Sequence, residues 1–484
     1  MSAMSSDRLT GLDASFLHLE RDGAHMHVAA TMIFDGPPPD FEEFKEHLRS
    51  RLHLVPRFRQ KLRSVPLDQG RPVWVDDPHL NLDYHVRHTA LPAPGDEEQL
   101  RTFAARAFSQ RLDRSKPLWE MWVVDGLSDD RFAIVTKSHH CLVDGVSGVD
   151  ITTVLFDAEP EPGPPAEEPP SWIPRPEPSS LELLSSAITE RVTVPAELVR
   201  GVRSIARRPL QALAAVRDAL GATSSIAGKG LSAPDTALNV EIGPHRRFAW
   251  VRADLADLKR IKDVYGGTVN DVVLTVVAGA LGRHLRSLGH ETDGLVLKAM
   301  VPVSVRTAEQ QGNLGNQVTA MMASLPVGCE DPIERLGIVR RSMGNLKQSK
   351  QAVGANLIAE MTDFAPPTIV SQAARLQSRQ RFFNLVVTNV PGPQFPLYVL
   401  GRKLRDIFPM VPLAKRQAVC VGIMSYDGGI NFGLIGDYEA MPALGGLAID
   451  LSDELESLAA LTPATDGNGS APREPERTTS RSSG

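Results

Sequence analysis

Apolar side chains along the chain follow both the alternation of strands and the spacing of helices, which predicts a mixed α/β protein. In the first half the predicted strands are residues 26–34 and 132–137, and the predicted helices are 41–54, 97–110 and 146–156. The second half repeats the mixture, with predicted helices at 255–265 and after Thr268 and predicted strands at 247–251, 295–303, 317–325, 384–389, 419–425 and 429–436.

A segment rich in proline and glutamate, residues 158–180, separates the two halves. Because proline lacks a backbone donor and fixes φ, this composition predicts an extended linker without helix or strand. The predicted organisation is therefore an N-terminal domain over 1–157, a linker and basic segment over 158–236, a C-terminal domain over 237–462 and a disordered tail over 463–484.

Arginines alternate with apolar side chains after the linker, in residues 181–236, where Pro195 and Pro209 interrupt the helical pattern. We favour the interpretation that the apolar face packs on the protein and the arginines form a solvated face. The alternative is an interfacial element that attracts anionic lipid and seats the protein on a membrane surface.

Composition is that of a globular protein, with 484 residues, 42% hydrophobic residues and a net charge of -6. The absence of a basic excess argues against a nucleic-acid-binding protein. No window reaches the roughly 20 apolar residues needed to span a bilayer, and the first twenty residues lack the apolar core of a signal peptide. The three cysteines, Cys141, Cys329 and Cys420, form neither a zinc pattern nor a disulfide framework, so a cytoplasmic location is predicted.

The strongest candidate chemistry lies in residues 138–145, SHHCLVDG. His139 and His140 follow a predicted strand and precede Asp144 and Gly145, whose turn permits a backbone conformation that a side chain would strain. A neutral imidazole can take a proton from an alcohol and return one to a leaving group. The pattern therefore predicts a general base at the mouth of a cleft, against the alternative of two ordinary histidines at a strand end.

A covalent mechanism is not expected, although Cys141 and Ser147 lie near the histidines. Adjacent strand residues point to opposite faces, so Cys141 is predicted to face away from His140 as a small buried residue. Ser147 falls short of a G-x-S-x-G elbow because Val149 stands where the second glycine is needed.

A second candidate position lies at the start of the predicted helix after Thr268. Thr268 and Asp271 fit a capping box, which explains Asp271 but not Asn270. A side-chain amide near a helix N-terminus is well placed to donate to a developing oxyanion. We keep that role and a purely structural one as alternatives for Asn270.

Further blocks of the chain match one known pattern. They are LDASFL at 12–17, MHV at 26–28, PLWE at 117–120, NDVVL at 270–274, VPVSVR at 301–306, LGNQ at 314–317 and TNVPGP at 388–393. With HHCLVDG at 139–145 the chain resembles, over nearly its whole length, the bacterial wax ester synthase / acyl-CoA:diacylglycerol acyltransferase family. The histidine motif alone is shared with peptide-synthetase condensation domains and plant acyltransferases, whereas the PLW, ND and NVPGP blocks are more specific to this branch.

The resemblance implies two chloramphenicol-acetyltransferase-like domains that face each other across a central tunnel. It implies an O-acyltransferase with acyl-CoA as co-substrate and diacylglycerol or a long-chain alcohol as acceptor, giving triacylglycerol or wax esters. No permanently bound cofactor, no metal and no acyl-enzyme are expected. The two substrates would enter from opposite sides and meet at His140.

The resemblance also suggests roles for individual residues. His140 is expected to be the general base, and His139 to shape the site. Asp144 either orients the His140 imidazole, as in a catalytic triad, or holds the loop through an arginine, with Arg306 as a candidate partner, and we favour the second role. The PLW and NVPGP blocks are expected to be rigid turns with an architectural role.

Two other functions stay open at this point. One is a free-standing condensation-type acyltransferase that uses carrier-protein thioesters, although no carrier is encoded in this chain. The other is a non-catalytic scaffold on lipid droplets that uses the basic segment. For the enzyme we expect peripheral association with the inner face of the plasma membrane or with lipid droplets.

Overall fold

The computed structural model of the chain describes residues 7–20, 23–142, 156–161, 171–193, 233–304, 318–348 and 383–463. Its first half contains α1 (Gly11–Leu19), β1 (His27–Asp35), α2 (Phe41–Arg51), β2 (Gln60–Arg63), β3 (Val73–Asp76), α3 (Leu82–His85), β4 (Val86–Ala90), α4 (Glu97–Ser109), β5 (Trp119–Leu127), β6 (Arg131–His139) and α5 (Ser180–Thr193). Short 3-10 helices lie at Leu52–Leu54, Pro56–Arg59 and Pro66–Asp68.

The second half shows the same mixture of helices and strands. Its elements are β7 (Arg246–Asp254), α6 (Leu255–Tyr265), α7 (Val269–Ser287), β8 (Leu297–Ser304), β9 (Val318–Leu325), α8 (Pro332–Gln348), β10 (Leu385–Pro391), β11 (Tyr398–Val399), β12 (Arg402–Met410), β13 (Val419–Tyr426), β14 (Gly429–Asp437) and α9 (Leu444–Ala460). Local signals set several helix ends. Asp96 and Gln99 form a capping box at α4, and Thr268 and Asp271 form the predicted one at α7.

The strands form two six-stranded sheets and one small hairpin of β2 and β3. The first sheet has the order β11-β12-β1-β6-β5-β4, and the second has the order β7-β14-β13-β10-β8-β9. The first sheet therefore takes strands from both sides of the predicted linker, because β1 pairs antiparallel with both β6 and β12.

A hydrophobic core lies between the two sheets and joins the halves. It contains Trp122 and Val135 from the first sheet, Trp250 from the second, and Phe408 from β12. The rings of Trp250 and Phe408 stack with centroids 4.4 Å apart. Separate cores lie under α1 and α2 on the first sheet and under α6 to α9 on the second.

Polar contacts reinforce this junction at one edge. Arg252 of β7 donates to Glu97 of α4 at 2.8 Å and to Asp406 of β12 at 2.9 Å. One guanidinium thus ties an N-terminal helix to two strands of the C-terminal half.

Two sequence blocks interpreted as rigid turns are instead strand ends. Trp119 begins β5 and pairs with Ser138, and its indole stacks between Phe58 and His85. Pro117 lies before the strand begins, so its lack of a backbone N–H removes no hydrogen bond from the sheet. Residues 388–391 belong to β10, which runs parallel to β13, so the turn begins only at Gly392.

The described part of the predicted linker contains no helix or strand before Ser180, where α5 begins, but it is held against the first half. The Arg175 backbone N–H donates to Asp76 at 2.9 Å, and its guanidinium donates to Asp7 at 2.9 Å. The Arg59 guanidinium lies 5.1 Å from the centroid of the Trp172 ring. The extended chain of this segment is held by contacts with charged side chains rather than by hydrogen bonding to a β-strand.

The start of the basic segment is the helix α5, and it packs on the protein. Leu183 is fully buried among Val73 and Val75, and the Arg8 guanidinium donates to the Ser186 hydroxyl at 3.0 Å. Residues 194–232, with most of the arginines, lie outside the described residues, as do residues 143–155 and the tail after 463.

Among the described helices, none is by itself long and apolar enough to cross a membrane. The pair α6 and α7 meets the length and composition requirement only when taken together, and the two helices are bent by 100° to each other.

Candidate active site

The end of β6 places two histidines on firmly hydrogen-bonded backbone. His139 faces His27 of β1 in the antiparallel register, and its N–H donates to the Leu118 carbonyl at 2.9 Å. The His140 N–H donates to the Met26 carbonyl at 2.8 Å. Both histidines are therefore fixed by strands on either side.

His140 is half-buried and packs against α1. Its imidazole stacks on the ring of Phe16, with centroids 4.0 Å apart and planes inclined by 17°. The helix that carries Phe16 is fixed at its start, where the Thr10 side chain accepts the Asp13 N–H. One face of the imidazole is thus covered by an aromatic ring held in place by a capped helix.

His139 is buried, and its ring nitrogens have distinct surroundings. The Cys141 N–H donates to His139 Nδ1 at 3.1 Å, so Nδ1 presents a lone pair and the hydrogen of the neutral ring lies on Nε2. That Nε2 lies 3.6 Å from Glu20 Oε2. Nδ1 is thus occupied by the Cys141 N–H and Nε2 faces a carboxylate, so both ring nitrogens of His139 are directed at protein groups.

Glu20 follows the last residue of α1 and turns a nearly buried carboxylate toward the histidines. Its Oε1 lies 3.2 Å from His27 Nε2, and Arg114 Nε donates to its Oε2 at 3.1 Å. Burial opposes ionisation, but His139, His27 and Arg114 hold the pKa of this carboxyl well below its usual range. A fixed negative charge therefore lies behind the histidine pair.

His25 and His27 extend the cluster of histidines inward. Their rings stack with centroids 5.6 Å apart, and Arg111 Nε donates to His25 Nδ1 at 3.4 Å. Burial lowers the pKa of His27, and burial together with the positive charges of Arg246 and Arg111 lowers the pKa of His25 to about 4. Both rings are neutral at physiological pH.

Lys137 anchors β6 two residues before His139. Its ammonium is fully buried, lies 2.9 Å from Glu120 Oε2, and donates to the carbonyls of Ala107 and Gln110 at 3.0 Å. Burial lowers the pKa of Lys137, and the Glu120 charge opposes this effect. Glu120 belongs to the PLWE block, which thus fixes the strand that presents the histidines.

The Cys141 thiol is buried in the core under α1 and α2. Burial raises its pKa well above the ordinary value, and the charge of Asp13 adds to the effect. The thiolate is the nucleophilic form of cysteine, so this environment disfavours a covalent role.

Of the other predicted site residues, the structure describes only Asn270. Asp144, Gly145 and Arg306 lie outside the described residues. Asn270 is the second residue of α7 and half-buried, and the neighbouring capping box accounts for Asp271. In the described ranges, no three or more His, Cys, Asp or Glu side chains are grouped in a way that could hold a metal ion.

Sequence reasoning missed several residues of the cluster, among them Phe16, Glu20 and His27. Phe16 and His27 belong to the LDASFL and MHV blocks, which carried the resemblance without an assigned role. For Glu20 no local signal was available, because it lies just after the end of α1 and meets the histidines only in the folded protein.

Comparison with known proteins identifies the family. The wax ester synthase/diacylglycerol acyltransferase catalytic domain matches residues 9–273, and the C-terminal domain of the same family matches residues 314–459. A probable diacylglycerol O-acyltransferase, tgs1, of Mycobacterium tuberculosis is 34% identical over 468 residues, 94% of this chain and 96% of that one. The Mycobacterium tuberculosis protein tgs2, a probable diacylglycerol O-acyltransferase, is 32% identical over 92% of this chain and 97% of its own length.

Solved structures agree with this match. The wax ester synthase/diacylglycerol acyltransferase from Marinobacter aquaeolei VT8 superposes with a TM-score of 0.64 at 30% identity, over 94% of this chain and all of that one. The starter condensation domain of rhizomide synthetase gives a TM-score of 0.56 at 14% identity, over 95% of each chain, which shows a shared fold. The predicted mixed α/β fold is confirmed, and the chain belongs to the wax ester synthase/diacylglycerol acyltransferase family of acyltransferases, as its motifs predicted.

Proposed function

We propose that His140 is the general base in the transfer of a long-chain acyl group from acyl-CoA to a hydroxyl of diacylglycerol, a long-chain alcohol or both. The acceptor oxygen attacks the thioester carbonyl while the imidazole takes the hydroxyl proton. When the carbon–sulfur bond breaks, the imidazolium returns that proton to the CoA thiolate. The products are an ester and free CoA, and the histidine ends in its starting state.

The contrast between the two histidines carries this assignment. His139 is buried, and its Nδ1 lone pair already accepts the Cys141 N–H. His140 is half-buried at the end of a strand, with its ring orientation set by Phe16 and its backbone set by Met26. A fixed orientation without full burial suits a base that must meet a substrate, so His139 is proposed to shape the site.

Two further roles belong to the same proposal. Asn270, half-buried near the start of α7, is proposed to donate to the oxyanion that forms on the thioester carbonyl. Asp144 is proposed to hold the loop after the histidines, with Gly145 permitting its turn. Association with a membrane or lipid-droplet surface is also proposed, because the acceptors are lipids, and vesicle flotation of the purified chain tests it.

The central test measures free CoA released from palmitoyl-CoA in the presence of diacylglycerol or a long-chain alcohol. His140→Ala should lower the rate about a thousandfold, the usual contribution of a general base. The matched control is His290→Ala, since His290 is exposed beyond the end of α7. Full activity of His140→Ala, with an unchanged unfolding transition, would overturn the assignment.

A comparison of donors separates the enzyme from its alternatives. Palmitoyl-CoA should support the reaction, and a palmitoyl carrier protein should not. The reverse preference would favour the condensation-type function, and no CoA release with any acceptor would favour the scaffold.

A further inference from the structure

Glu20 connects the two histidines through one turn of helix. Its backbone N–H donates to the Phe16 carbonyl at 3.1 Å, and the Phe16 ring stacks on His140. Its carboxylate faces His139 from the same turn. A single helix end thus contacts both members of the pair, one through an aromatic ring and the other through a charge.

The carboxylate is almost buried, with 8% of the side chain exposed, a degree of burial that glutamates rarely reach unless they are paired. Two imidazoles and one guanidinium face it, from His27, His139 and Arg114. Arg114 also donates to the Leu17 carbonyl at 3.2 Å, so it closes the C-terminal end of α1 from the solvent side. Burying a charge is costly unless it has partners, so its retention here calls for a role.

We propose that Glu20 is a positioning residue for the acyl transfer, acting on His140 through His139 and through the end of α1. The inference rests on the proposed function of His140.

The first effect is on geometry. A negative charge beside Nε2 favours the His139 tautomer with its hydrogen on that atom, which leaves Nδ1 free to accept the Cys141 N–H. That hydrogen bond fixes the backbone directly after His140. Loss of the charge removes the preference for this tautomer and loosens the turn.

The second effect is electrostatic. When His140 takes the acceptor proton it becomes an imidazolium, and the buried carboxylate beside its neighbour His139 favours that charged form. Other charged or titratable groups around Glu20 act on the same balance. They are Asp13 and His18 on α1, His25 and His27 at the start of β1, Lys137 and His139 on β6, Arg111 and Arg114 after α4, and Arg246 on β7.

The test compares two variants with opposite expected shifts. Glu20→Gln keeps the shape and removes the negative charge, so the acidic limb of kcat/KM against pH should move about half a unit to one unit lower. Its kcat should fall about tenfold, in line with partners that orient a histidine. Arg114→Gln removes a positive charge from the half-exposed side of the same cluster, so the acidic limb of its kcat/KM profile should move to higher pH.

Controls separate charge from folding. Glu98→Gln removes an exposed carboxylate on α4 and should leave both kcat and the limb unchanged. Glu20→Asp keeps the charge, so the acidic limb of kcat/KM should stay at the same pH while kcat falls in part. If Glu20→Gln is too unstable to assay, Arg114→Gln alone carries the test, because its side chain is 47% exposed.

The outcomes are distinct from those for His140. If the acidic limb of kcat/KM against pH is unchanged in both Glu20→Gln and Arg114→Gln while His140→Ala is inactive, the role of Glu20 is overturned. The assignment of His140 as general base then still holds. An active His140→Ala removes the foundation of both proposals. Opposite shifts in the two variants support the inference.

Discussion

Phe16 and His140 lie face to face, with ring centroids 4.0 Å apart, although one belongs to a helix near the start of the chain and the other follows the last residue of β6. The stack explains why an aromatic residue occupies this position of the LDASFL block. It also fixes the plane of the imidazole that we propose as the general base.

Replacing Phe16 with leucine should lower kcat/KM for CoA release about fivefold, since aromatic pairs contribute about 1 kcal/mol beyond the area they bury. Leucine keeps most of the volume but not the flat face, so the imidazole gains rotational freedom. Wild-type activity of Phe16→Leu, with an unchanged melting temperature, would contradict an orienting role. Phe16→Tyr keeps the ring and is the matched control.

Cys141→Ala should keep its activity, because the buried thiol has a raised pKa and takes no part in the proposed chemistry. Removing the sulfur from the core should cost about 1 kcal/mol of the free energy of unfolding. The check is CoA release beside a denaturant titration. Loss of activity in a folded Cys141→Ala variant would instead support a covalent mechanism through the thiol.

Stability should fall as the pH drops from 7 to 5, partly through His25. Burial, His27, Arg246 and Arg111 lower its pKa to about 4 in the native protein, whereas the unfolded chain has a value near 6.5. Below pH 6.5 the unfolded state therefore binds more protons, and the stabilisation is lost as the pH falls toward 4. His25 should account for about 1–2 kcal/mol of the loss between pH 7 and 5.

The measurement is denaturant unfolding at both pH values for wild type and His25→Gln, which should show the smaller loss. The strongly paired carboxylate of Glu97 interferes little in this window. Burial opposes ionisation of Glu97, but Arg252, Arg131 and Trp250 lower its pKa to about 2, so its contribution is lost only below pH 4.5. An equal loss in wild type and His25→Gln would show that His25 is protonated in the native state.

Gly392→Ala should destabilise the protein by about 2 kcal/mol, within the range for overpacking. A Cβ at this position would lie 2.3 Å from the Ser425 carbonyl, a backbone atom that cannot move without parting β10 from β13. Gly445→Ala is the opposite case, because its Cβ meets nothing within 4 Å and it lies in α9. We expect Gly445→Ala to stabilise by about 0.5 kcal/mol in the same unfolding assay, and equal effects would refute the argument.

Local patterns predicted much of the fold from sequence. The helix predicted at 255–265 has those bounds as α6, and the strands predicted at 26–34 and 132–137 are β1 and β6 within two residues. These elements have strong apolar periodicity or clear capping residues. The strand β12 was missed, because Lys403 and Arg405 interrupt its apolar pattern and its pairing partner lies in the other half of the chain.

The site was predictable only in part, for a related reason. The histidines are adjacent in sequence, so their motif is visible in one short window. Glu20, His27 and His139 meet only when the end of α1, β1 and β6 come together, and nothing local marks that contact. The PLW block was misinterpreted as a turn because the buried stacking of Trp119 depends on Phe58 and His85.

The pairing of β12 with β1 in the first sheet affects how the protein folds during its synthesis. During synthesis β1 and β6 leave the ribosome early, but Thr31 of β1 pairs with Phe408, which emerges near the end. Until then one edge of β1 exposes unpaired backbone groups and apolar side chains, an arrangement prone to association with other chains. We therefore expect a chain truncated before residue 402 to aggregate rather than to form a folded N-terminal half.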